Sequence, residues 1–219
     1  MQLRYGKLMV SAIAALAMAG AYASWTITVT QNTGSVFNSS TNTTTPTTPS
    51  VLTLNNPLPR VYIFPVSASP PIIAGDGTPY TFGSAAIVYT VTGTGSTPIT
   101  GVFVTVSGSV VGTASVYWSK TVINLENNQP ILNISGTFLG NGYAGGTDGA
   151  FAITQFYPFS QPTTRFQVSD TILVSTTQAF GRDLAVVSML SQEFVPEPAS
   201  MLALGAGLAG LVGLRRRKK

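Results

Sequence analysis

From Trp25 to Leu190 the chain is a succession of short runs in which apolar and polar positions alternate, broken by Gly, Pro and Asn. Trp25-Thr26-Ile27-Thr28-Val29-Thr30 predicts a first strand. Arg60 to Val66 is apolar and β-branched or aromatic, with Pro65 marking an edge or a bulge. Ala85 to Thr92 places Ile87, Tyr89 and Val91 on one face, and Gly93 to Ser96 supplies a turn. Val102, Val104 and Val106 alternate with Phe103, Thr105 and Ser107, as expected of a half-buried strand. Val110 to Ser119 and Lys120 to Leu125 read as two further runs, and Asn127 to Pro130 as the next turn. Leu132, Ile134, Gly136 and Phe138 share a face. A glycine-rich loop spans Gly140 to Gly149, and Ala150 to Tyr157, Thr164 to Thr176 and Asp183 to Leu190 complete the set. No run keeps a helical period. Turns spaced roughly ten residues apart predict an all-β fold, an antiparallel β-sandwich of jelly-roll-like kind. An irregular barrel or a solenoid is the alternative, but no fixed repeat period favours a solenoid.

One stretch interrupts the pattern. Gln31 to Ser50 is dominated by Thr, Ser, Asn and Pro and holds almost no apolar residues to offset the entropy of ordering it. It is expected to be a flexible, exposed loop or stalk at 31–50. Asn38, Asn42 and Asn133 each begin an Asn-x-Ser/Thr tripeptide, which arises readily by chance in Thr-rich sequence.

The two ends follow other rules. Arg4 and Lys7 precede an apolar run from Leu8 to Ala19, and Ala21-Tyr22-Ala23 offers the small-x-small pattern that a signal peptidase accommodates. Residues 1–23 therefore read as a secretory signal peptide cleaved before Ser24, with an uncleaved anchor as the alternative. Either way the translocon exports the body, which occupies 24–194. At the other end, Val195-Pro196-Glu197-Pro198 leads into an uncharged span at about 199–214 and a basic tail, Arg215-Arg216-Arg217-Lys218-Lys219. Met201 to Leu214 makes about 21 Å of helix. With three more residues it approaches a hydrocarbon core of about 30 Å, so this reads as a short transmembrane helix whose basic tail stays in the cytoplasm. The flanking prolines hold the segment around Glu197 extended and keep a helix from running back into the body.

Composition removes several functions. The formal charge of +4 belongs to the ends, because between Ser24 and Val195 four basic residues (Arg60, Lys120, Arg165, Arg182) face six acidic ones (Asp76, Glu126, Asp148, Asp170, Asp183, Glu193). The body lacks a footprint for phosphate backbones, and nucleic acid is not an expected partner. The chain has no Cys and no His, so disulfides, thiolate chemistry and His-dependent nucleophile pairs are excluded, and no cofactor or metal is expected. No Gly-x-Ser-x-Gly elbow or Ser-x-x-Lys dyad occurs in the body. A carboxylate pair, Asp148 with Asp170 for choice, is the remaining route to hydrolysis, and a non-enzymatic body is expected. Gly145-Gly146-Thr147-Asp148-Gly149 has the form of one calcium-binding β-roll turn, without the repeat or the ligand number calcium needs. Trp118 is the candidate carbohydrate contact. It adjoins Tyr117, and two neighbours in one strand face opposite ways, which would leave one ring exposed.

The C-terminal arrangement closely resembles the PEP-CTERM sorting domain of exopolysaccharide-producing Gram-negative bacteria, a likeness confined to 195–219. The resemblance implies that a membrane enzyme, exosortase, recognises Val195, Pro196, Glu197 and Pro198 and removes the tail. It further implies transient anchoring in the inner membrane, then release or transfer to the cell surface or exterior. The expected role is structural or adhesive, in the envelope or a biofilm, with exopolysaccharide as a candidate partner. An envelope-attached carbohydrate-binding module is the alternative, and a secreted hydrolase a more distant one.

Overall fold

The computed structural model describes residues 24–94 and 97–197. In chain order its strands are β1 (Ser24–Asn38), β2 (Thr43–Thr47), β3 (Ser50–Leu54), β4 (Arg60–Phe64), β5 (Ile73–Gly75) and β6 (Tyr80–Thr94). They continue with β7 (Ile99–Val111), β8 (Ala114–Asn124), β9 (Gln129–Leu139), β10 (Gly149–Thr163), β11 (Arg165–Thr176) and β12 (Leu184–Pro196). A single 3-10 turn, Pro65–Ser67, lies between β4 and β5.

Two antiparallel sheets form a sandwich. The first runs β2-β1-β6-β11-β8-β9; the second runs β10-β7-β12-β4-β3, with β5 also paired to β12. Successive strands from β6 to β12 cross between the sheets at every step except the β8–β9 hairpin. That wrapping separates the fold from a meander and makes it jelly-roll-like. No barrel closure occurs among the described strands.

The core lies between the sheets. Inward-facing Tyr89, Trp118, Phe166, Ile172, Leu190 and Phe194 are essentially fully buried, with Val102, Val104 and Val106 from the alternating run opposite them. Burying each large apolar side chain contributes about 1.5–3 kcal/mol, and alternation along every strand is what lets one face collect them.

Two expectations are corrected. The segment 31–50 is not a loose stalk. Residues 31–38 continue β1 along β6, and β2 pairs with β1. Only the tip between Asn38 and Thr43 is a turn, closed by Asn38 Oδ1 accepting the Ser40 and Thr41 amides. A bulge between Val29 and Gln31 shifts the register, so that Trp25 and Val36, of opposite parity, both reach the core. The backbone ladder supplies what the sparse apolar side chains do not. The second correction concerns the runs divided at Lys120. The break falls at Gly112-Thr113, where Gly112 has φ +68°. β8 then passes through Lys120 without interruption, its inward positions being Ala114, Val116, Trp118, Lys120, Val122 and Asn124.

The signal-peptide segment 1–23, including Ala21 and Ala23, lies outside the described residues, as do Gly95, Ser96 and residues 198–219 with the span and basic tail. Ser24 opens β1. No helix among the described residues is long and apolar enough to cross a membrane.

Candidate functional site: an outer sheet face and the C-terminal motif

Strand β12 is central to the second sheet, between β7 and β4, and its two faces do different work. Leu190, Gln192 and Phe194 point into the core. Ser191, Glu193 and Val195 alternate with them on the outer face, and neighbouring strands extend that face on both sides. One cross-strand row reads Phe156, Phe103, Glu193, Arg60, Leu54; the next reads Thr154, Thr105, Ser191, Tyr62, Leu52.

The chemistry of the face is mixed in a defined way. Phe103 and Phe156 are directly opposed, 5.1 Å between centroids and tilted 52°, and they remain 44% and 39% exposed. Across β12, Tyr62 and Phe64 stack at 6.4 Å with planes 8° apart. Between the two aromatic pairs Arg60 Nη2 donates to Glu193 Oε1 at 3.0 Å, and its Nε lies 3.0 Å from Oε2. The Glu193 hydrogen bond raises the Arg60 pKa above its already high ordinary value, against the effect of burial. The Thr105 and Thr154 hydroxyls are hydrogen-bonded at 2.9 Å. Aromatic rings, a partly exposed ion pair and hydroxyls thus share one outward surface, with apolar Leu52 and Leu54 at its margin.

Trp118 is elsewhere. It points inward from β8, 1% exposed, and packs beside Gly136 of β9, where even a methyl group would come within 2.5 Å of its Nε1. A buried indole cannot stack on a sugar, so the candidate contact at Trp118 is withdrawn on this geometry. Its neighbour Tyr117 takes the outward position, as strand alternation requires.

Asp148 and Asp170 do not form a hydrolytic pair. Asp170 is fully buried against Lys120, whereas Asp148 sits in an exposed loop. Its Oδ1 accepts backbone N–H groups from Gly112 at 2.8 Å and Asn141 at 2.9 Å. That explains Gly145 to Gly149 as a loop tied down by its aspartate. Among the described residues no group of three or more acidic, Cys or His side chains is placed to hold a metal.

The C-terminal motif is mounted on the sheet. Val195 pairs with Gly101 and Pro196 with Ile99 of β7. Thr100 Oγ1 donates to the Val195 carbonyl at 3.3 Å, and the Glu197 amide donates to Pro98 O at 2.9 Å. The folded body therefore runs through Val195 and Pro196 and does not stop at 194. Pro196 sits at a register shift that follows Val195, one of the places where a strand tolerates proline.

The PEP-CTERM protein-sorting motif matches this chain over residues 194–218. The matched segment begins within the last strand, at Phe194 to Pro196 of β12, and continues beyond it. Among the curated proteins none matches the chain. Among solved structures, TmCBM61 in complex with beta-1,4-galactotriose is 11% identical, with 79% of this chain and 88% of that one covered and a TM-score of 0.29. The enzymatically active domain of tailspike protein 4 of bacteriophage CBA120 is 11% identical, covering 80% of this chain and 19% of that one at a TM-score of 0.26. A mutant of the carbohydrate-binding module CBM29-2 is 13% identical, covering 77% and 91% at a TM-score of 0.22. The sandwich is defined by its own strand pairing.

Proposed function

We propose that this is an exported surface or extracellular-matrix protein that an exosortase sorts through Pro196-Glu197-Pro198, with a structural or adhesive role for the sandwich. The observation that carries the reading is the motif itself, set between the last strand of the body and an apolar span ending in five basic residues. In this reading a signal peptidase cuts before Ser24, and the span holds the protein in the inner membrane. The extended Pro-Glu-Pro segment then meets the enzyme, and the body is released or transferred to the surface. Replacing Glu197 by Ala and, separately, deleting residues 215–219 tests this in the producing cells. Both variants are expected to stay cell-associated with the segment after Pro198 uncut; unchanged processing and surface display would sink the proposal.

A second reading, attachment to exopolysaccharide, is favoured by the outer face of β10-β7-β12-β4-β3. The exposed rings of Phe103 and Phe156 offer apolar surface to the C–H side of sugars, while Arg60, Glu193 and the hydroxyls offer donors and acceptors. Retention in an affinity gel containing the cells' own exopolysaccharide is expected to fall about tenfold for Phe103→Ala with Phe156→Ala, corresponding to about 1.4 kcal/mol. Mobility unchanged by the polysaccharide in the unaltered protein would contradict this reading.

A further inference from the structure

We propose that Lys120 and Asp170 become joined by an intramolecular isopeptide bond, making a covalent staple across the first sheet. The two residues are direct cross-strand partners on β8 and β11. Both side chains are wholly inaccessible to solvent, and Lys120 Nζ lies 2.5 Å from Asp170 Oδ1.

As an ion pair this arrangement is poorly provided for. An ammonium has three N–H donors, yet Asp170 is the only hydrogen-bond partner of Nζ among the described residues. Asp170 Oδ2 and the neighbouring Gln192 Nε2 have none. Desolvating two charges costs several kcal/mol each unless further hydrogen bonds compensate. The Tyr89 ring lies 6.0 Å from Lys120 Nζ, and the buried neighbours of Asp170 on the inward face of β11 are Val168 and Ile172. Burial pushes the Asp170 carboxyl up, against the charge and hydrogen bond of Lys120. Burial pushes the Lys120 amine down, against the attraction of Asp170. Both directions lower the cost of transferring one proton from nitrogen to oxygen, and that transfer would give a neutral amine touching a neutral carboxylic acid.

Those are the reactants for amide formation. The Lys120 Nζ lone pair attacks Asp170 Cγ, and the carbonyl π electrons move to oxygen. The tetrahedral centre collapses as the hydroxyl oxygen takes a proton from nitrogen and leaves. One C–N bond forms, one C–O bond breaks, one water departs, and no oxidation state changes. Holding the groups in contact supplies effective concentrations on the order of 10⁵–10⁸ M, and the dry core disfavours the returning water. Tyr89 is a positioning residue. Burial foremost, with the Asp170 charge, raises its pKa well above the ordinary phenol value. It therefore stays protonated, its hydroxyl donating to Gln192 Oε1. The product replaces two desolvated charges with one neutral amide and closes the chain between residues 120 and 170. A chain without cysteine cannot obtain such a closure from a disulfide.

Mass analysis of the protein recovered from cells, followed by tryptic mapping, tests the bond. The expected result is a body lighter than its sequence by one water. Trypsin should then fail to cut after the acylated Lys120, so that 61–165 is recovered bound to 166–182. Lys120→Arg should restore the lost water. Separate 61–120 and 121–165 pieces at full sequence mass would overturn the proposal. A dehydrated 166–182 piece free of 61–165 would be a succinimide and would overturn it too. Loss of ammonia in place of water would make Gln192 the acyl donor and refute the assignment to Asp170.

Discussion

Lys120 and Trp118 are two positions apart on β8 and face the same way, and each carries a consequence that its residue type alone does not announce. Trp118 fills the core beside Gly136. Trp118→Ala is expected to cost about 3–5 kcal/mol of stability, read by urea denaturation, while leaving retention by polysaccharide unchanged in whatever fraction stays folded. Lost retention in that fraction would return the indole to the binding site. Lys120 was open to detection earlier. It occupies the inward parity of β8, and Asp170 occupies the inward parity of β11 between Val168 and Ile172. Two opposite charges at apolar positions of two strands are a signal in sequence, but a lone Lys also reads as a boundary, and which strands adjoin is not written locally. Lys120→Met alone strands a buried carboxyl and is expected to destabilise by about 3–5 kcal/mol. Adding Asp170→Leu should recover part of that loss in the same denaturation assay; a double variant no more stable than the single would contradict the account of the buried pair.

At the scale of elements, β12 joins the core, the outer face and the sorting motif. Its pairing with β7 shifts between Val187 and Met189, next to Gly108. A methyl group at Gly108 would meet the Val186 carbonyl oxygen at 2.1 Å, and a backbone atom in a central strand has little freedom to withdraw. Gly108→Ala is therefore expected to destabilise by about 1–3 kcal/mol; a melting temperature equal to the parent would show that the bulge can relax. Strands with clean alternation, such as Val102 to Val106 and Leu132 to Phe138, were legible because the period of two survives along them. β1 was legible only to Thr30, because the bulge there inverts the parity and the Thr-rich continuation is held by its ladder. The outer face was not legible as a unit. Phe103, Arg60, Glu193 and Phe156 come from four strands, and only register brings them into one row.

Considered whole, the molecule gathers its two exits at one end. Ser24 Oγ lies 2.6 Å from Thr94 Oγ1, and the Glu197 amide binds Pro98 O; Thr94 and Pro98 flank the connection from β6 to β7. Ser24, where signal cleavage is proposed, and the Pro196-Glu197 segment thus leave the sandwich beside each other, one from each sheet. This would orient the body end-on while its tail is in the membrane, with the Asp148 loop at the opposite end, where β7 meets β8. Because Val195 and Pro196 are paired in the sheet, the segment left free for an enzyme begins close to Glu197, and cutting is expected at or beyond it. The most direct measurement is the C-terminal peptide of the protein collected from the cell surface or medium. The account predicts an N-terminus at Ser24 and a C-terminus after the Pro-Glu-Pro segment, with the span and Arg215 to Lys219 gone; surface protein still ending in Lys219 would contradict it.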